Sequence, residues 1–540
     1  MNRVCIFLKK VPAHIFVLIA IIAVGMFVRL FDFHNLLDFG SDQANDATRV
    51  SAVLDGEEPW PYYGPDMSKS GNGAGGRENR FRLGPMYYYF QIVSAEIFGG
   101  TPDAMAYPDA LFSVLALPLF YYFVRRYFSV HISLALTALY ATSFYSLTFS
   151  HSAWNPNSLP FFSLLLLLSL WNFLVYREAV SWWWAVGLGV ALGVGTQLHA
   201  ITLALFPATA FCVFVFLLRR HWRMWPKWIL AFALLLVLNL GQIIGEFHRD
   251  FKNTQTFFIS AANSGSDDTG RRHLLHAFAK DVSCHIEANA YIVSSMGDGN
   301  CDYWLVKSFQ SNVSVKVKEL FRSPAFLFGW VLSIAFSVFG YTSLVMRWWR
   351  EREASRKHFL GIVLLFLGLS FWVLFPILAE AFRYFVHTFF APLLFVGFFM
   401  EYVARRFPRW QVYANGGIIV LAVAMNLFSL RESLREGGIR DRLVLGQAEA
   451  ILATMHEFAG QDMWRVMVTR TVDDTYRTVR YLADRKGWST ERLADHFDAP
   501  VGMPVIYMTP EVSGDPGNTV KGNPFEIYRS VGGVTLYKLK

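Results

Sequence analysis

Charged residues are scarce in this chain, and so are the motifs that bind soluble nucleotides. Only 17% of the 540 residues are charged, whereas 54% are hydrophobic, and there are 50 Phe and 17 Trp. This composition is too apolar for an ordinary soluble enzyme of this length. The sequence contains no Walker A motif and no convincing dinucleotide fingerprint, so neither kind of nucleotide site is predicted. It also lacks internal repeats and low-complexity tracts.

The hydrophobic residues occur in runs of about 17 to 24, the length that a helix needs to cross a hydrocarbon core of about 30 Å. Backbone groups in lipid must be satisfied internally, so each run is predicted to be a helix. The small-x-small triplet of the first run lies inside the run, which predicts a retained helix rather than a cleaved signal peptide. The predicted spans are residues 11–31, 107–124, 132–149, 158–176, 181–197, 201–218, 227–245, 323–346, 358–376, 383–401 and 410–430.

Basic residues occupy alternate turns between these eleven runs, and this asymmetry predicts the orientation. If the N-terminus is cytoplasmic, every inside segment contains Lys or Arg, whereas the outside turns 150–157, 198–200 and 377–382 contain none. The formal charge of +8 is explained by these turns, and no nucleic-acid partner is predicted. The long segments 32–106 and 246–322 then lie outside, together with the tail.

The tail, residues 431–540, differs in character from the membrane domain, residues 1–430. It combines a charge-rich amphipathic stretch at 441–485 with strand-like runs at 505–508 and 534–538. The predicted fold class is a multi-spanning α-helical membrane protein, with about eleven transmembrane helices and a small soluble α/β domain at the C-terminus.

Two of the four cysteines, Cys284 and Cys301, share the outside segment 246–322. If this segment faces an oxidising compartment, a disulfide between them is predicted, and the alternative is a pair of free thiols.

Two carboxylates follow the first predicted helix. Asp42 and Asp46 are spaced i, i+4, so on a short helix both side chains point the same way. Such a pair of like charges repels, which local stability does not favour, whereas a general base or a metal site tolerates the repulsion. The alternative is a solvated acidic pair at the membrane boundary.

Four cations farther along the same segment, Lys69, Arg77, Arg80 and Arg82, are interleaved with or follow glycines. Arginine presents a fork of donors that matches phosphate oxygens, so this segment is a candidate site for an anionic group such as a phosphate. The alternative is a solvated loop beside anionic lipid headgroups.

Further polar residues map to the same predicted face, from turns near helix ends. Such convergence is expected of a site that is fed from the bilayer. Taken singly, each residue has a structural alternative, such as an interfacial aromatic or a helix-end histidine. The substrate-binding candidates are Tyr87, Trp154, Asn155, Gln197, His199 and Tyr384, and Arg383 is a further candidate cation.

Together these residues carry a family resemblance over about residues 10–400. The motifs are Ser41-Asp42-Gln43-Ala44-Asn45-Asp46, Gly84-Pro85-Met86-Tyr87-Tyr88-Tyr89, Trp154-Asn155-Pro156-Asn157, Gln197-Leu198-His199 and Arg383-Tyr384. In this order they resemble the bacterial members of the protein mannosyltransferase and aminoarabinose transferase superfamily, which are membrane-embedded glycosyltransferases of the C-type fold, similar to glycosyltransferase family 39. The tail matches that family only loosely.

The resemblance implies a lipid-linked sugar transfer. One hexosyl or pentosyl group would pass, with inversion, from a polyprenyl-phosphate donor to a glycan, lipid or protein acceptor. The reaction would take place on the periplasmic side of a bacterial inner membrane, where the C-terminal domain is also expected. In cellular terms this is cell-envelope glycosylation, of lipopolysaccharide, another glycan or protein.

The resemblance also implies roles for residues. The family has an essential Asp just after the first helix, and Asp42 is the matching position, expected to act as the general base with Asp46 beside it. The donor phosphate would be bound among Lys69, Arg77, Arg80, Arg82 and Arg383. Many relatives have Asp-Glu where this chain has Asp42-Gln43, so no role of that Glu carries over. Metal dependence varies across the superfamily, which leaves a divalent metal open, and no other cofactor is implied.

Two other functions are compatible with the sequence. One is a transporter or flippase of a lipid-linked saccharide, and the other is an inert scaffold whose tail binds a partner in the envelope. Transporters typically place charged residues at the bilayer midplane, whereas the ionisable residues here lie at predicted helix ends and in loops. The sequence therefore favours the enzyme.

Overall fold

The computed structural model describes residues 12–66, 81–218, 220–263, 270–295, 324–374, 382–435, 443–459, 464–468, 473–488, 490–493, 505–510, 525–531 and 533–539. Most of the chain before the tail is helical. Its helices are α1 Ala13–Leu30, α2 Phe33–Leu36, α3 Ser41–Leu54, α4 Met86–Phe98, α5 Pro102–Val124, α6 Val130–Thr142, α7 Phe144–Ser150, α8 Leu159–Tyr176, α9 Trp182–Leu198, α10 Ala200–Leu218, α11 Trp225–Leu238, α12 Leu240–His248, α13 Lys252–Asn263, α14 Gly270–Ser294, α15 Pro324–Arg350, α16 Ala354–Leu374, α17 Phe390–Arg406 and α18 Gln411–Arg435. Short 3-10 helices occupy Asn155–Ser158, Arg177–Ala179, Trp222–Met224 and Phe382–Thr388.

By length and composition, seven helices of the described chain can cross a membrane, or ten if three bent pairs each form one span. The pairs join α6 to α7, the Trp222–Leu238 helix to α12, and the Phe382–Thr388 helix to α17, with bends of 53°, 55° and 63°. The 17-residue helix α9 corresponds to the remaining predicted span. Each predicted run thus coincides with a helix or a bent pair, and the multi-spanning helical fold class is confirmed.

A buried arginine joins three membrane helices, α1, α5 and α6. Arg29, near the end of α1, is fully buried, and its guanidinium donates to Ser113 Oγ on α5 at 2.8 Å and to the Ala141 carbonyl on α6 at 2.8 Å. A charge inside a membrane domain is tolerated when its donors are satisfied in this way. One turn earlier, Gly25 lets α1 approach closely, because a Cβ there would lie 2.6 Å from Leu117. These contacts fix the end of α1, from which the candidate site follows.

Helix α3 leaves this end through a short turn and α2. Asp32 takes a left-handed conformation with φ of 46°, and Gly40 precedes α3 in an extended conformation. The Gln43 side-chain oxygen accepts the Gly40 N–H at 3.1 Å, which satisfies a donor at the start of α3. The residue that replaces the family's Glu therefore caps the helix that carries both predicted carboxylates.

The tail is an α/β unit, as predicted. It contains α19 Leu445–Ala459, β1 Trp464–Val468, α20 Asp473–Arg485, β2 Thr490–Leu493, β3 Val505–Pro510, β4 Phe525–Val531 and β5 Val534–Leu539. The strands form one mixed sheet of order β2-β1-β3-β5-β4, in which β1 is parallel to β2 and β3, and β5 is antiparallel to β3 and β4. The two strand-like runs of the sequence lie in β3 and β5, and the periplasmic location of the tail stays a prediction.

Candidate active site

Helix α3 presents a carboxylate pair on one face. Asp42 lies exposed in the first turn, and Asp46 lies one turn farther on, only 8% exposed. Arg49 follows at i+7 from Asp42, so the three side chains share this face. The predicted short helix with both carboxylates on one side is therefore present.

The environment of Asp46 favours its protonated form. The pKa of this carboxyl is raised to about 7, chiefly by burial and also by the negative charge of Asp42. The hydrogen bond that Asp46 Oδ1 accepts from the Tyr88 hydroxyl, at 2.7 Å, works in the opposite direction. The two carboxylates thus have different surroundings, one exposed and one buried beside it.

A second buried carboxylate, Asp109 on α5, connects this helix face to a neighbouring turn. Asp109 accepts hydrogen bonds from Ser158 Oγ at 2.9 Å, from the Trp154 backbone N–H at 3.2 Å and from the Tyr87 hydroxyl at 3.3 Å. The ring of Tyr87 lies 6.3 Å from that of Tyr88, centroid to centroid. Tyr87, predicted to bind substrate, therefore belongs to a buried network that fixes the turn before α8.

Sequence reasoning missed Asp109, because it lies close to the start of an apolar run and resembles a boundary residue. Its signal is the pair of prolines around it, Pro108 and Pro118, which mark α5 as an unusual span.

Replacing Asp109 by Ala should destabilise the protein by about 2–4 kcal/mol, because it leaves three buried donors without an acceptor. The midpoint of thermal aggregation in detergent measures this loss. Asp109→Asn, which keeps one acceptor, should lie between the Ala variant and the wild type. Asp474→Asn, an exposed carboxylate on α20, is the control, and an Ala variant as stable as this control would contradict the network's role.

Four predicted residues form a second cluster around the Phe382–Thr388 helix. The exposed guanidinium carbon of Arg383 lies 5.6 Å from the ring centroids of both Trp154 and Tyr384. The ring of Tyr384 in turn lies 5.9 Å from that of His199, edge to face. The turns that carry Trp154, His199 and Arg383 therefore lie together. In the described part of the chain, no carboxylate forms a salt bridge with Arg383.

Arginines also line a cavity of about 220 Å³ beside α3. Arg49, Arg82 and Arg249 contribute the charge, together with His248 and Glu58. Three aromatic residues also line it, namely Trp60, Tyr62 and Tyr63. The guanidinium of Arg49 lies 5.9 Å from the ring centroid of Tyr88, which also bonds Asp46. The cavity and the carboxylate pair are thus neighbours across one tyrosine.

Two polar contacts place Arg82 in this cavity. Its guanidinium bonds Asp66 at 2.7 Å, and the Asn253 side chain bonds both its backbone N–H and its carbonyl, at 2.7 and 3.1 Å. Asn253 is itself held by the buried carboxylate of Glu246. At the same wall a Cβ on Gly245 would lie 2.8 Å from Tyr62 and Tyr63, so only glycine fits there. Arg49, His248 and Arg249 were missed, because only the tertiary structure brings segment 245–249 to α3.

A larger depression of about 800 Å³ lies at the turn between α15 and α16, lined within residues 349–358. This turn is predicted to be cytoplasmic and carries none of the site candidates, so its volume alone does not indicate an active site.

Two predicted substrate-binding residues make contacts that hold helices together. Gln197 donates to the Gly193 and Leu238 carbonyls at 2.7 and 2.9 Å and accepts from the Met86 N–H at 3.2 Å. Asn155 donates to the Leu198 carbonyl at 2.6 Å. A Cβ on Gly84 would lie 2.1 Å from Gln197 Oε1, which gives that motif glycine a packing reason. A substrate role for either side chain stays a prediction.

Several candidates lie outside the described residues, namely Lys69, Arg77, Arg80 and Cys301. Cys284 is disulfide-bonded, and its pairing with Cys301 stays a prediction. Within the described ranges, no group of three or more His, Cys, Asp or Glu residues is placed to hold a metal ion.

Comparison with known proteins supports the predicted resemblance. The family model described as dolichyl-phosphate-mannose-protein mannosyltransferase matches residues 83–241, from the Gly84 motif through the Gln197 motif. No curated protein sequence matches the chain.

Solved structures of low sequence identity are also similar. ArnT from Cupriavidus metallidurans, bound to undecaprenyl phosphate, is 13% identical with a TM-score of 0.43, and the match covers 98% of each chain. The oligosaccharyltransferase AglB from Archaeoglobus fulgidus, in complex with an inhibitory peptide and a dolichol-phosphate, is 12% identical with a TM-score of 0.49, over 87% of this chain and 63% of that one.

The family-model match over residues 83–241 confirms the predicted resemblance to membrane-embedded glycosyltransferases of the C-type. Over these residues the chain is similar to dolichyl-phosphate-mannose-protein mannosyltransferases.

Proposed function

We propose that this protein transfers a single sugar, with inversion, from a polyprenyl-phosphate donor to an acceptor on the periplasmic side of the bacterial inner membrane. The observation that carries the proposal is the sequence of groups along α3: a carboxylate pair, then Arg49, then the arginine-lined cavity. A base beside a cationic cavity is what displacement of a phosphate from a sugar requires.

Asp42 is the general base in this proposal. It is exposed, as a group that meets an acceptor hydroxyl must be, whereas Asp46 is buried and already bonded to Tyr88. Asp42 takes the hydroxyl proton while the acceptor oxygen attacks the anomeric carbon. The bond from that carbon to the phosphate oxygen breaks, and its electron pair leaves with the polyprenyl phosphate. Attack opposite the leaving group inverts the anomeric carbon.

The donor phosphate is assigned to the cavity of Arg49, Arg82 and Arg249. Arg82 forms a salt bridge with Asp66, whereas in the described part of the chain Arg49 and Arg249 form none, and Glu58 lies on the same cavity wall. Guanidinium forks match phosphate oxygens and stabilise the charge that grows on the leaving group. Arg383 is the second candidate, because it too has no described carboxylate partner and lies against two rings.

Sugar transfer is tested with purified protein in liposomes, a polyprenyl-phosphate donor carrying a radiolabelled sugar, and an envelope fraction from cells that lack this protein. The labelled sugar should leave the donor lipid and appear in an acceptor fraction. Unlabelled polyprenyl phosphate should be released at the same time. A transporter or flippase would instead move the intact labelled lipid between leaflets. Label that stays on the donor while the lipid changes leaflet would therefore overturn the enzyme in favour of the transporter.

Sugar transfer should rise with pH through about 7, the value to which burial raises the pKa of Asp46. Below that pH Asp46 is neutral, and above it Asp46 is ionised and makes Asp42 one turn away a stronger proton acceptor. Asp46→Asn is neutral at every pH, so this step should disappear and activity should stay near the wild-type level at low pH. Rates between about pH 5.5 and 8.5 measure the effect. An unchanged step in the variant would assign the titration to another group.

A further inference from the structure

Helix α3 has a reverse face that the proposed chemistry does not use. Ser51 and Asp55 follow Asp46 by five and nine residues, which places them roughly 140° and 180° around the helix axis. Ser51 is 4% exposed, although it lies outside the membrane-spanning helices. Something therefore covers the side of α3 that faces away from the carboxylate pair.

The covering element is α20 of the tail. The hydroxyls of Ser51 and Tyr481 are 3.2 Å apart, and both residues are buried. Arg485, one turn later on α20, bonds the Asp55 carboxylate at the end of α3. The ring of Tyr481 also packs 5.6 Å from that of Phe39, just before α3 begins. Helix α20 of the tail thus contacts α3, which carries the proposed base, near both of its ends.

Backbone hydrogen bonds also join the tail to the segment before α3. The Leu445 N–H donates to the Leu37 carbonyl at 2.8 Å, and the Phe39 N–H donates to the Leu443 carbonyl at 3.1 Å. These two bonds flank Asp38, whose own N–H bonds the His151 carbonyl at 2.7 Å. The segment that leads into α3 is therefore paired with the tail on one side and with the turn before α8 on the other.

Helix α19 packs on the same segment. A Cβ on Gly446 would lie 2.9 Å from the side-chain oxygen of Asn35, so α19 approaches this backbone closely. His34 bridges Asp103 on α5, at 2.8 Å, and Glu449 on α19, at 3.0 Å. The hydrogen bond to Asp103 raises the pKa of His34, as does the one to Glu449.

We propose that the C-terminal unit is a positioning element of the active site, in which Tyr481 and Arg485 set the position of α3 and so of Asp42. This inference rests on the proposed function for its kinetic consequence. Positioning matters because a displacement of about 1 Å in a reacting group can cost about 100-fold in rate. The tail is then part of the transfer machinery rather than an accessory module.

A charge exchange tests the contact without removing it. Arg485→Asp and Asp55→Arg should each place like charges together and lower kcat roughly tenfold. The double variant D55R/R485D restores opposite charges and should recover most of the wild-type kcat. Donor KM should change little, because Arg49, Arg82 and Arg249 are untouched. Arg480→Asp, at an exposed position of α20 whose ion pair is with Asp484 on the same helix, is the matched control and should keep wild-type kinetics.

A merely structural role would give a different pattern. In that case the single variants would lose thermal stability and yield of folded protein, with kcat per folded molecule unchanged. We expect the reverse, because the Asp55 pair is solvent-accessible and contributes little stability by itself. A double variant no more active than the singles, or an R485D variant with wild-type kcat, would overturn the inference.

A readout independent of sugar transfer separates this inference from the proposed function. A spin label on Asn45→Cys, an exposed position of α3, reports local mobility in full-length protein whose other thiols are blocked. Mobility should rise in R485D and return to the original value in the double variant. If mobility follows this pattern while neither the wild type nor any variant transfers sugar, the proposed function is wrong and the positioning role of the tail is supported. If the wild-type protein transfers sugar while neither mobility nor kcat changes in the charge-exchange variants, only the positioning role is wrong.

Discussion

Replacing Asp42 by Asn should lower kcat for sugar transfer by roughly 10²–10⁴-fold, the usual contribution of a general base. The amide keeps the size of the side chain and cannot accept the proton of the acceptor hydroxyl. Because Asp42 is exposed and its carboxylate accepts no hydrogen bond from the described residues, the fold should be unaffected. Release of polyprenyl phosphate from a radiolabelled donor measures the rate, and thermal aggregation in detergent checks the fold.

Asp32→Asn is the matched control, since it makes the same change ten residues earlier on the same outer segment. Asp32 has a φ of 46°, a conformation that Asn tolerates well, so this variant should remain active. Full activity in Asp42→Asn would remove Asp42 from the catalytic role. If Asp46→Asn were then inactive at every pH, the buried carboxylate would be the base instead.

Replacing Arg249 by Ala should lower kcat by roughly 10²–10³-fold, the loss expected when one preorganised donor to developing charge is removed. Arg249 lies on the cavity wall with its guanidinium carbon 5.5 Å from the Tyr63 ring centroid, and it forms no salt bridge with a carboxylate of the described residues. Arg249→Lys should recover part of the activity, because lysine keeps the charge and loses the fork.

The comparison that decides between the two phosphate sites is Arg383→Ala. If the cavity holds the donor phosphate, R249A should be the more severe variant, whereas the opposite order would place the phosphate beside Trp154 and Tyr384. Arg352→Ala, an exposed arginine in the predicted cytoplasmic turn, should retain activity and controls for the loss of positive charge. Initial rates at saturating and subsaturating donor separate kcat from donor affinity.

The tertiary structure shows helix-packing contacts for residues that the sequence predicts to bind substrate. The sequence predicts Gln197 as a substrate ligand because its turn shares a face with Asp42, yet its amide holds α9, α11 and the start of α4 together. Both uses need a polar side chain at a helix end. A single sequence does not distinguish them, since the difference lies in which helices meet there.

The sequence by itself determined the membrane-spanning helices, the α/β tail and the spacing of the carboxylate pair. These features follow from local rules: the length of an apolar run, the alternation along a strand, and the 3.6-residue repeat that puts Asp42 and Asp46 on one face. Each of these features can be read from neighbouring residues, without knowing which distant segment packs against them.

Only the tertiary structure decided what surrounds that pair. Asp109 becomes a buried acceptor, Arg249 meets Arg49 from 200 residues away, and Tyr481 covers Ser51 from a separate unit. Each of these contacts joins segments whose own patterns give no sign of the other. Burial and charge pairing depend on how helices pack, and packing is a property of the whole chain.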